Sequence, residues 1–365
     1  MTGRRRRILL DLLPYSPSDG GFTTSIHALL EVATRLEEFE FGIVYHSDYR
    51  ARFASYPFRH HVVNFPRKMK FFAPLAIIPP LVRWHGYHAV HSDISAAVTT
   101  TVPTSMRVHD LFYLISGESR NRPWLHEVVE TLYRRIYVQS IRTAGIAAAI
   151  SECTRRDIVR HAGRSATNYL LPHAVALPAS TPVARDWPDK ERSARLLFVG
   201  SIVPRKNLRT LLAALRQVRR AWTLDIVGNV WWGATGLGDE LRDPRITVRG
   251  FVPDGELARH YATADLLINP SLYEGFGLPV AEAVAAGCPA FAASGSAFDE
   301  FVPALARFDP HDPPALARLI DALSPDAHRA LLAAEFAALQ RFSRAGQIAA
   351  YRAVFRRLVA DVPEL

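Results

Sequence analysis

The sequence predicts an α/β protein of two doubly wound, Rossmann-like domains. Its 365 residues exceed what one ordinary hydrophobic core organises and suit two. Short apolar runs alternate with stretches of helical spacing along most of the chain, which is typical of a parallel sheet covered by helices. A Pro- and charge-rich stretch without periodicity, 176–194, interrupts this alternation and then the pattern restarts.

The first domain is predicted over residues 1–175. Its strands are apolar runs that end at polar or glycine residues, and we predict them at 8–13, 41–46, 89–93, 105–111 and 145–151. Its helices have apolar residues at helical spacing, and we predict them at 22–39, 128–144 and 154–163. Ser151 or Thr154 is expected to cap the last of these helices.

The second domain is predicted over 195–345, after a linker at 176–194. We predict its strands at 194–200, 223–228, 245–251, 265–271 and 289–294. We predict helices at 207–221, at 255–264 and from Pro279 to Gly287. A last helix falls within 346–365.

Composition indicates a globular protein of the cytoplasm. Hydrophobic residues make up 49% and charged residues 22%, and no uncharged apolar run is long enough to span a bilayer. The basic N-terminus followed by apolar residues imitates a signal peptide, but Asp11 interrupts the apolar run, so we expect a first strand there. Two cysteines, Cys153 and Cys288, suggest neither a disulfide framework nor a metal site.

Positive charge is concentrated in the first half of the chain. Residues 1–180 hold 22 Lys and Arg against 14 Asp and Glu, whereas 181–365 hold 22 against 21. No helix-turn-helix, finger or RNA-binding signature supports a nucleic-acid partner. Arg4–Arg7, and the basic and aromatic residues of Asn64–Leu75, suit peripheral contact with an anionic inner membrane face. An Arg-rich surface typical of a high-GC genome explains them equally well.

The segment 196–212, LLFVGSIVPRKNLRTLL, suits a diphosphate. A strand ends at Gly200, the loop carries Arg205 and Lys206, and a helix starts near Asn207. Glycine permits close backbone approach, and the helix N-terminus offers amide donors beside the basic side chains. The spacing is not that of a Walker A loop. A glycine turn with solvated basic residues is the alternative.

The stretch 270–291 places two carboxylates around a hinge. It reads PSLYEGFGLPVAEAVAAGCPAF, with Glu274 in a Gly-rich loop and Glu282 in or just past the first turn of a helix. Carboxylates accept hydrogen bonds from sugar hydroxyls, and the loop amides suit an anion or a polar ligand edge. Alternatively, Glu282 complements the helix dipole and Glu274 is a surface residue.

The pattern E-G-F-G-L-P-x-x-E, with the upstream V-G-x-x-x-P-R-K-N-L and the intervening Gly250–Asp265, resembles the retaining glycosyltransferases of family 4. That family, also called glycosyl transferases group 1, has the GT-B fold, two Rossmann-like domains facing a central cleft. The resemblance implies that Glu282 binds the nucleotide ribose. It also implies that Glu274, with the amides of Gly275, Phe276, Gly277 and Leu278, contacts the transferred sugar.

The resemblance further implies that Lys206 and Arg205, with Gly200 and Ser201, hold the donor diphosphate. Many relatives have Arg where this chain has Ser201, so phosphate binding is expected to depend more on Arg205 and Lys206.

The first half resembles the family more weakly. PSDGGFTTSIHALLEVATRL, 17–36, resembles its glycine-containing loop after the first strand, where Gly20 and Gly21 would approach the donor phosphate or the acceptor. VHDLFYL, 108–114, resembles the segment whose histidine lies beside the transferred sugar, which implies a site role for His109. In the family, the last helix crosses back onto the first domain.

These features predict a glycosyltransferase that uses a nucleotide-diphosphate sugar, with retention and without a metal, since no Asp-x-Asp signature occurs. The motif forms resemble bacterial polysaccharide mannosyltransferases, so we expect GDP-mannose as donor and a glycan or lipid-linked oligosaccharide as acceptor. Two alternatives stay open, a nucleotide-sugar 2-epimerase of GT-B fold and a non-catalytic nucleotide- or glycan-binding member. Product analysis separates the first from a transferase, and donor binding without turnover supports the second.

Overall fold

The computed structural model describes residues 5–17, 21–70, 72–93, 100–112, 124–164, 169–188, 192–229 and 236–362. The chain divides into two compact units. One comprises Met1–Ala174 with Arg344–Leu365, and the other comprises Val175–Ser343. Each unit is built on a six-stranded sheet whose neighbouring strands are parallel.

The first sheet has the strand order β3-β2-β1-β4-β5-β6. Its strands are β1 Arg6–Asp11, β2 Phe39–His46, β3 Arg59–Val63, β4 Ala89–Ser92, β5 Thr104–Val108 and β6 Ile146–Ala149. The order reverses between β1 and β4. In doubly wound sheets ligands bind at such a switch point, outside the carboxyl ends of the strands.

Helices α1 Gly21–Ala33, α2 Arg50–Phe53, α3 Ala73–His85, α4 Trp124–Thr143 and α5 Glu152–Ala162 accompany this sheet. The cap of α5 is the one expected from the sequence. The Ser151 hydroxyl accepts a hydrogen bond from the Thr154 amide at 3.0 Å, and Gly163 ends the helix in the left-handed conformation.

The second sheet repeats the same topology, with the order β12-β11-β10-β7-β8-β9. Its strands are β7 Ala194–Val199, β8 Trp222–Val227, β9 Ile246–Gly250, β10 Leu266–Asn269, β11 Ala290–Ala293 and β12 Arg307–Phe308. Its helices are α6 Leu208–Leu215, α7 Asp254–Thr263, α8 Leu278–Ala285, α9 Pro313–Ala322 and α10 Pro325–Leu339. The switch point of this unit lies between β7 and β10.

The last helix, α11 (Arg344–Val359), packs on the first unit. Its buried residues join the cluster that covers one face of the first sheet. The Phe355 ring lies 5.6 Å from the ring of Phe41 and 6.0 Å from that of Phe39 in β2. The chain thus returns to its first unit after completing the second.

One predicted helix is too long, and the edge strands β3 and β12 and helix α3 were not predicted from the sequence. The helix predicted over 207–221 ends at Leu215, because the carboxylate of Asp321 in α9 accepts from the Arg219 amide at 3.0 Å and holds the chain in a turn. The edge strands β3 and β12 lack the long apolar runs that marked the other strands. Helix α3 contains Pro79 and Pro80, which ordinarily argue against a helix interior.

We expect Phe355→Ala to destabilise the first unit by about 3–5 kcal/mol, because it leaves a cavity in a fully buried aromatic cluster. The matched control is Arg357→Ala on the same helix, which removes an exposed ion pair with Asp361 and is worth about 0–1 kcal/mol. Denaturant unfolding of both variants measures the difference. Equal stabilities would contradict the packing role of α11.

Candidate functional site

The loops after β7 and β10 carry the predicted donor residues of the second unit. Beside them, the neighbouring strands β7 and β8 end at backbone distance because residue 228 is glycine. A Cβ atom on Gly228, after β8, would lie 2.1 Å from the carbonyl oxygen of Gly200, after β7, which no side chain tolerates. The aliphatic part of the Lys206 side chain packs on Gly200, where an added Cβ would lie 3.3 Å from Cε of Lys206. The strand ends are therefore packed at backbone distance, and Lys206 lies over them.

Lys206, Arg205 and Glu274 meet at this edge of the sheet. The Lys206 ammonium donates a hydrogen bond to Oε1 of Glu274, and Nη1 of Arg205 lies 3.3 Å from Oε2. The same Arg205 nitrogen donates to the carbonyl oxygen of Tyr273 at 2.9 Å. Glu274 is 8% exposed, so both cations lie against a nearly buried carboxylate.

The charges around Glu274 decide its ionisation. Burial alone would raise the pKa of Glu274, but the Lys206 ammonium and the Arg205 guanidinium outweigh burial and lower that pKa to about 2. The side-chain hydroxyl of Ser271 also favours the ionised form. Glu274 is thus an anion at neutral pH, and two cations around one anion leave a net positive charge at this place.

Hydrogen bonds between the two loops fix the cluster. The Leu272 amide donates to the Arg205 carbonyl oxygen at 2.9 Å. Asn207 has the left-handed backbone conformation, φ 51°, and its side-chain amide donates to the carbonyl oxygens of Pro270 at 3.2 Å and Pro310 at 2.8 Å. The loop with the cations is therefore held against the loop with the carboxylate.

The Gly-rich hinge begins helix α8. Gly277 has φ 93°, and a Cβ there would lie 2.2 Å from Cε1 of Phe298, so both conformation and space require glycine. Phe276 is buried, with its ring 5.0 Å from that of Phe342 and 5.8 Å from that of Phe301. The phenyl ring anchors the loop in the core, which leaves only the main chain of Phe276 for a ligand.

Glu282 has a different environment from Glu274. It is the fifth residue of α8, and its Oε2 accepts a hydrogen bond from the Tyr261 hydroxyl of α7 at 2.9 Å. Burial raises the pKa of Glu282, the Tyr261 hydrogen bond opposes that shift, and nearby Asp254 adds to it. The two glutamates are thus separate acceptors, one paired with cations and one with a phenol.

Three further residues were predicted to bind the donor, namely Ser201, Gly20 and Gly21. Ser201 follows Gly200 directly and is half-buried. Gly20 lies outside the described residues, while Gly21 is the first residue of α1 after strand β1.

His109 lies in the first unit, directly after β5, and is 7% exposed. Its Nε2 is 3.6 Å from Oδ2 of Asp93, which directly follows β4 and is fully buried. The His109 ring also lies 5.4 Å from the ring of His173. The carboxyl edge of the first sheet thus carries its own group of ionisable side chains.

Asp93 and Arg107 were not predicted from the sequence. Arg107 is 1% exposed inside β5, and its Nη1 lies 3.4 Å from Oδ1 of Asp93. Burial alone would raise the pKa of Asp93, but Arg107 and His109 hold it well below its usual range. A signal existed in SMRVHDL, because an arginine within an apolar strand requires a buried counter-charge.

The described residues show neither a metal site nor a membrane-spanning helix. Within the ranges that the structure describes, no group of three His, Cys, Asp or Glu residues could hold a metal ion. Over those same ranges, no helix combines the length and apolar content needed to cross a bilayer.

Comparison with known proteins agrees with this geometry. Residues 193–326 match the family model described as glycosyl transferases group 1. Over 215 residues the chain is 30% identical to O-antigen chain mannosyltransferase B of Escherichia coli, which covers 54% of this chain and 56% of that protein. Over 164 residues it is 37% identical to D-inositol 3-phosphate glycosyltransferase of Salinispora tropica, covering 39% of this chain and 34% of that protein. The chain therefore spans about half or less of these relatives.

Solved structures match over nearly the whole chain. Sucrose-phosphate synthase of Thermosynechococcus elongatus gives a TM-score of 0.74 at 19% identity, covering 98% of this chain and 100% of that one. Anabaena HepE, solved in complex with UDP and glucose, gives 0.68 at 17% identity, covering 97% and 100%. At this identity the likeness shows the fold, which is GT-B as the sequence predicted. Residues 193–326 of the second unit thus match the model of the glycosyl transferases group 1 family, in a chain with the GT-B fold.

Proposed function

We propose that this protein is a retaining glycosyltransferase that moves a hexose from a nucleotide-diphosphate sugar without a metal ion. The observation that carries the proposal is the cluster of Lys206, Arg205 and Glu274 at the switch point of the second sheet. A net positive charge next to the N-terminus of α8 suits a diphosphate, because the helix contributes amide donors and a positive dipole end.

The donor binds through three separate contacts in this proposal. Lys206 and Arg205 hold the diphosphate over Gly200 and Ser201. Glu274 and the amides of the hinge orient the hydroxyls of the transferred sugar, and Glu282 accepts from the ribose hydroxyls. The support for two separate carboxylate roles is that Glu274 is paired with cations whereas Glu282 is paired with Tyr261.

Catalysis follows from where charge develops. As the glycosidic bond to the donor breaks, negative charge grows on the leaving diphosphate, and Lys206, Arg205 and the α8 amides stabilise it. Positive charge grows on the sugar ring, next to the Glu274 carboxylate. The acceptor hydroxyl attacks the same face and gives its proton to the leaving phosphate, which retains the anomeric configuration. In the first unit, His109 contacts the transferred sugar, and Gly21 at the start of α1 suits the donor phosphate or the acceptor.

We further propose mannose from GDP-mannose as the transferred sugar, and a glycan or lipid-linked oligosaccharide of a bacterial surface polysaccharide as the acceptor. The support is the similarity to O-antigen chain mannosyltransferase B, with which the chain shares 30% identity over 215 residues. The reaction would then take place in the cytoplasm, where a lipid-linked acceptor lies on the inner membrane face.

Peripheral membrane contact is proposed through the first unit, over Arg67–His85. Trp84 is 75% exposed and Met69 48% exposed, and the exposed basic residues Lys68 and Arg83 adjoin them. An exposed indole among cations suits the headgroup region of an anionic bilayer. Phe65, which the sequence analysis grouped with these residues, packs against the core instead, 4.9 Å from the ring of His46.

A screen of nucleotide sugars by thermal unfolding tests the donor. We expect GDP-mannose to stabilise the protein most, by about 2.7 kcal/mol at a concentration about 100 times its Kd. Incubation with an oligosaccharide acceptor should then yield a mannoside with retained configuration by NMR, and EDTA should not change the rate. Failure of every nucleotide sugar to bind would contradict the proposal, inhibition by EDTA would contradict metal independence, and epimerised UDP-GlcNAc would indicate the epimerase.

Lys206→Ala should lower the affinity for free GDP, whereas Glu274→Gln should not. The first should weaken binding by about 1.5–3 kcal/mol, because one charged hydrogen bond to the diphosphate is lost. The second should leave affinity unchanged or raise it, since the carboxylate competes with the phosphates for Lys206, while turnover falls.

Calorimetric titration of both variants with GDP measures these effects. Arg209→Ala, on the next helix, is the matched control for loss of one basic residue near the loop. If Lys206→Ala binds GDP as the wild type does, Lys206 does not hold the diphosphate.

Sedimentation with phosphatidylglycerol-containing vesicles tests the membrane contact. We expect Trp84→Ser to reduce binding, and Arg83→Glu to reduce it at least about fivefold, since a basic residue near an anionic surface is worth about 1 kcal/mol. Phe251→Ser is the matched control, because Phe251 is also 75% exposed but lies in the second unit. Equal losses for Trp84→Ser and Phe251→Ser would contradict a contact through Arg67–His85.

A further inference from the structure

Asp93 and His109 face each other at the carboxyl edge of the first sheet. They directly follow the neighbouring strands β4 and β5, and Oδ2 of Asp93 lies 3.6 Å from Nε2 of His109. Asp93 has no exposed surface, whereas His109 keeps 7%. The imidazole is therefore the member of this pair that a ligand reaches.

Three elements of the first unit hold the Asp93 carboxylate. The Ser25 hydroxyl of α1 donates to Oδ2, the Tyr351 hydroxyl of α11 donates to Oδ1 at 3.2 Å, and Nη1 of Arg107 lies 3.4 Å from Oδ1. Arg107 is itself fixed, because its Nε donates to the Leu171 carbonyl oxygen at 2.6 Å. These contacts hold the Asp93 carboxylate in one orientation, in which Oδ2 faces His109.

Among the described residues, this part cannot be taken by three neighbours of His109, namely Arg107, His91 and His173. Arg107 is a cation. Burial lowers the pKa of His91 to about 4, and burial with the nearby Arg107 lowers the pKa of His173 well below its usual range, so both imidazoles are neutral at neutral pH. Asp93 is the anion that attracts a protonated ring nitrogen.

We propose that Asp93 is the positioning residue of His109. Its carboxylate keeps Nε2 of His109 protonated and oriented toward the protein, which fixes the tautomer and the orientation of the imidazole. The group on one ring nitrogen of a histidine sets the tautomer of the other. This inference rests on the proposed contact between His109 and the transferred sugar, and it gives the C-terminal helix a part in that contact through Tyr351.

The tautomer of His109 is directly measurable. In the long-range ¹H–¹⁵N spectrum of histidine-labelled protein, assigned with His109→Gln, we expect the Nε2–H tautomer in the wild type. Asp93→Asn should shift the ring toward a mixture or toward Nδ1–H. An Nδ1–H tautomer in the wild type, or an unchanged spectrum in Asp93→Asn, would overturn the proposal. The spectrum needs no donor, so it is informative even if the proposed transfer reaction is wrong.

Kinetics provide the second readout. We expect Asp93→Asn to lower kcat about tenfold or more, with little change in the donor KM. Loss of the partner that orients a histidine ring has an effect of this size in metal sites. Asp93→Glu, which keeps the carboxylate, should recover part of kcat.

Asp93→Asn also leaves the charge of Arg107 buried without its counter-ion, which can prevent folding. Tyr351→Phe keeps the ion pair and removes a single hydrogen bond to Asp93, so it should lower kcat several-fold in a folded protein.

The matched control is Tyr87→Phe, which removes a buried hydrogen bond with His61 (2.7 Å) just before β4, at the opposite edge of the sheet. Equal kcat values for Tyr351→Phe and Tyr87→Phe would overturn the positioning role. No transfer by the wild type with any donor would instead refute the proposed function, leaving the tautomer to decide on Asp93.

Discussion

The contact on which the second unit's site depends is the buried carboxylate of Glu274 between Lys206 and Arg205. Three charges at the edge of a core are costly to desolvate, and they are stable here because each is paired within hydrogen-bonding or ion-pair distance. The arrangement fixes the ionised state of Glu274 and leaves one positive charge in excess. Gly228 packs on Gly200 at the ends of β8 and β7, and the left-handed Asn207 holds the loop with the cations against the loop with the carboxylate.

The first unit also has buried charged side chains at the edge of its sheet, but there the buried charges cancel. Asp93 and Arg107 are both fully enclosed and neutralise one another, and His109 is next to them at the surface of the same edge. Both clusters lie at the carboxyl ends of parallel strands, where doubly wound sheets bind ligands. The cluster of Lys206, Arg205 and Glu274 in the second unit suits an anion. The cluster of Asp93, Arg107 and His109 in the first unit suits a neutral polar group such as a sugar hydroxyl.

The sequence predicted most of the strands and helices because their signals are local. Buried parallel strands are continuous apolar runs, and the predicted donor residues fall in two short motifs whose glycines, prolines and charges dictate a turn followed by a helix. What it could not predict depends on distant residues. Helix α6 ends early because of Asp321 in α9, about one hundred residues later, as the amide contact of Arg219 shows. Asp93 is meaningful only once the fold places Arg107 and Tyr351 against it.

We propose that Lys206 and Glu274 contact adjoining parts of one donor molecule. A crystal structure of the protein with GDP-mannose tests this most directly. We expect a diphosphate oxygen within hydrogen-bonding distance of the Lys206 ammonium, with the mannose hydroxyls on Glu274 and the ribose on Glu282. A nucleotide bound elsewhere, with the Lys206–Glu274 pair untouched, would contradict it.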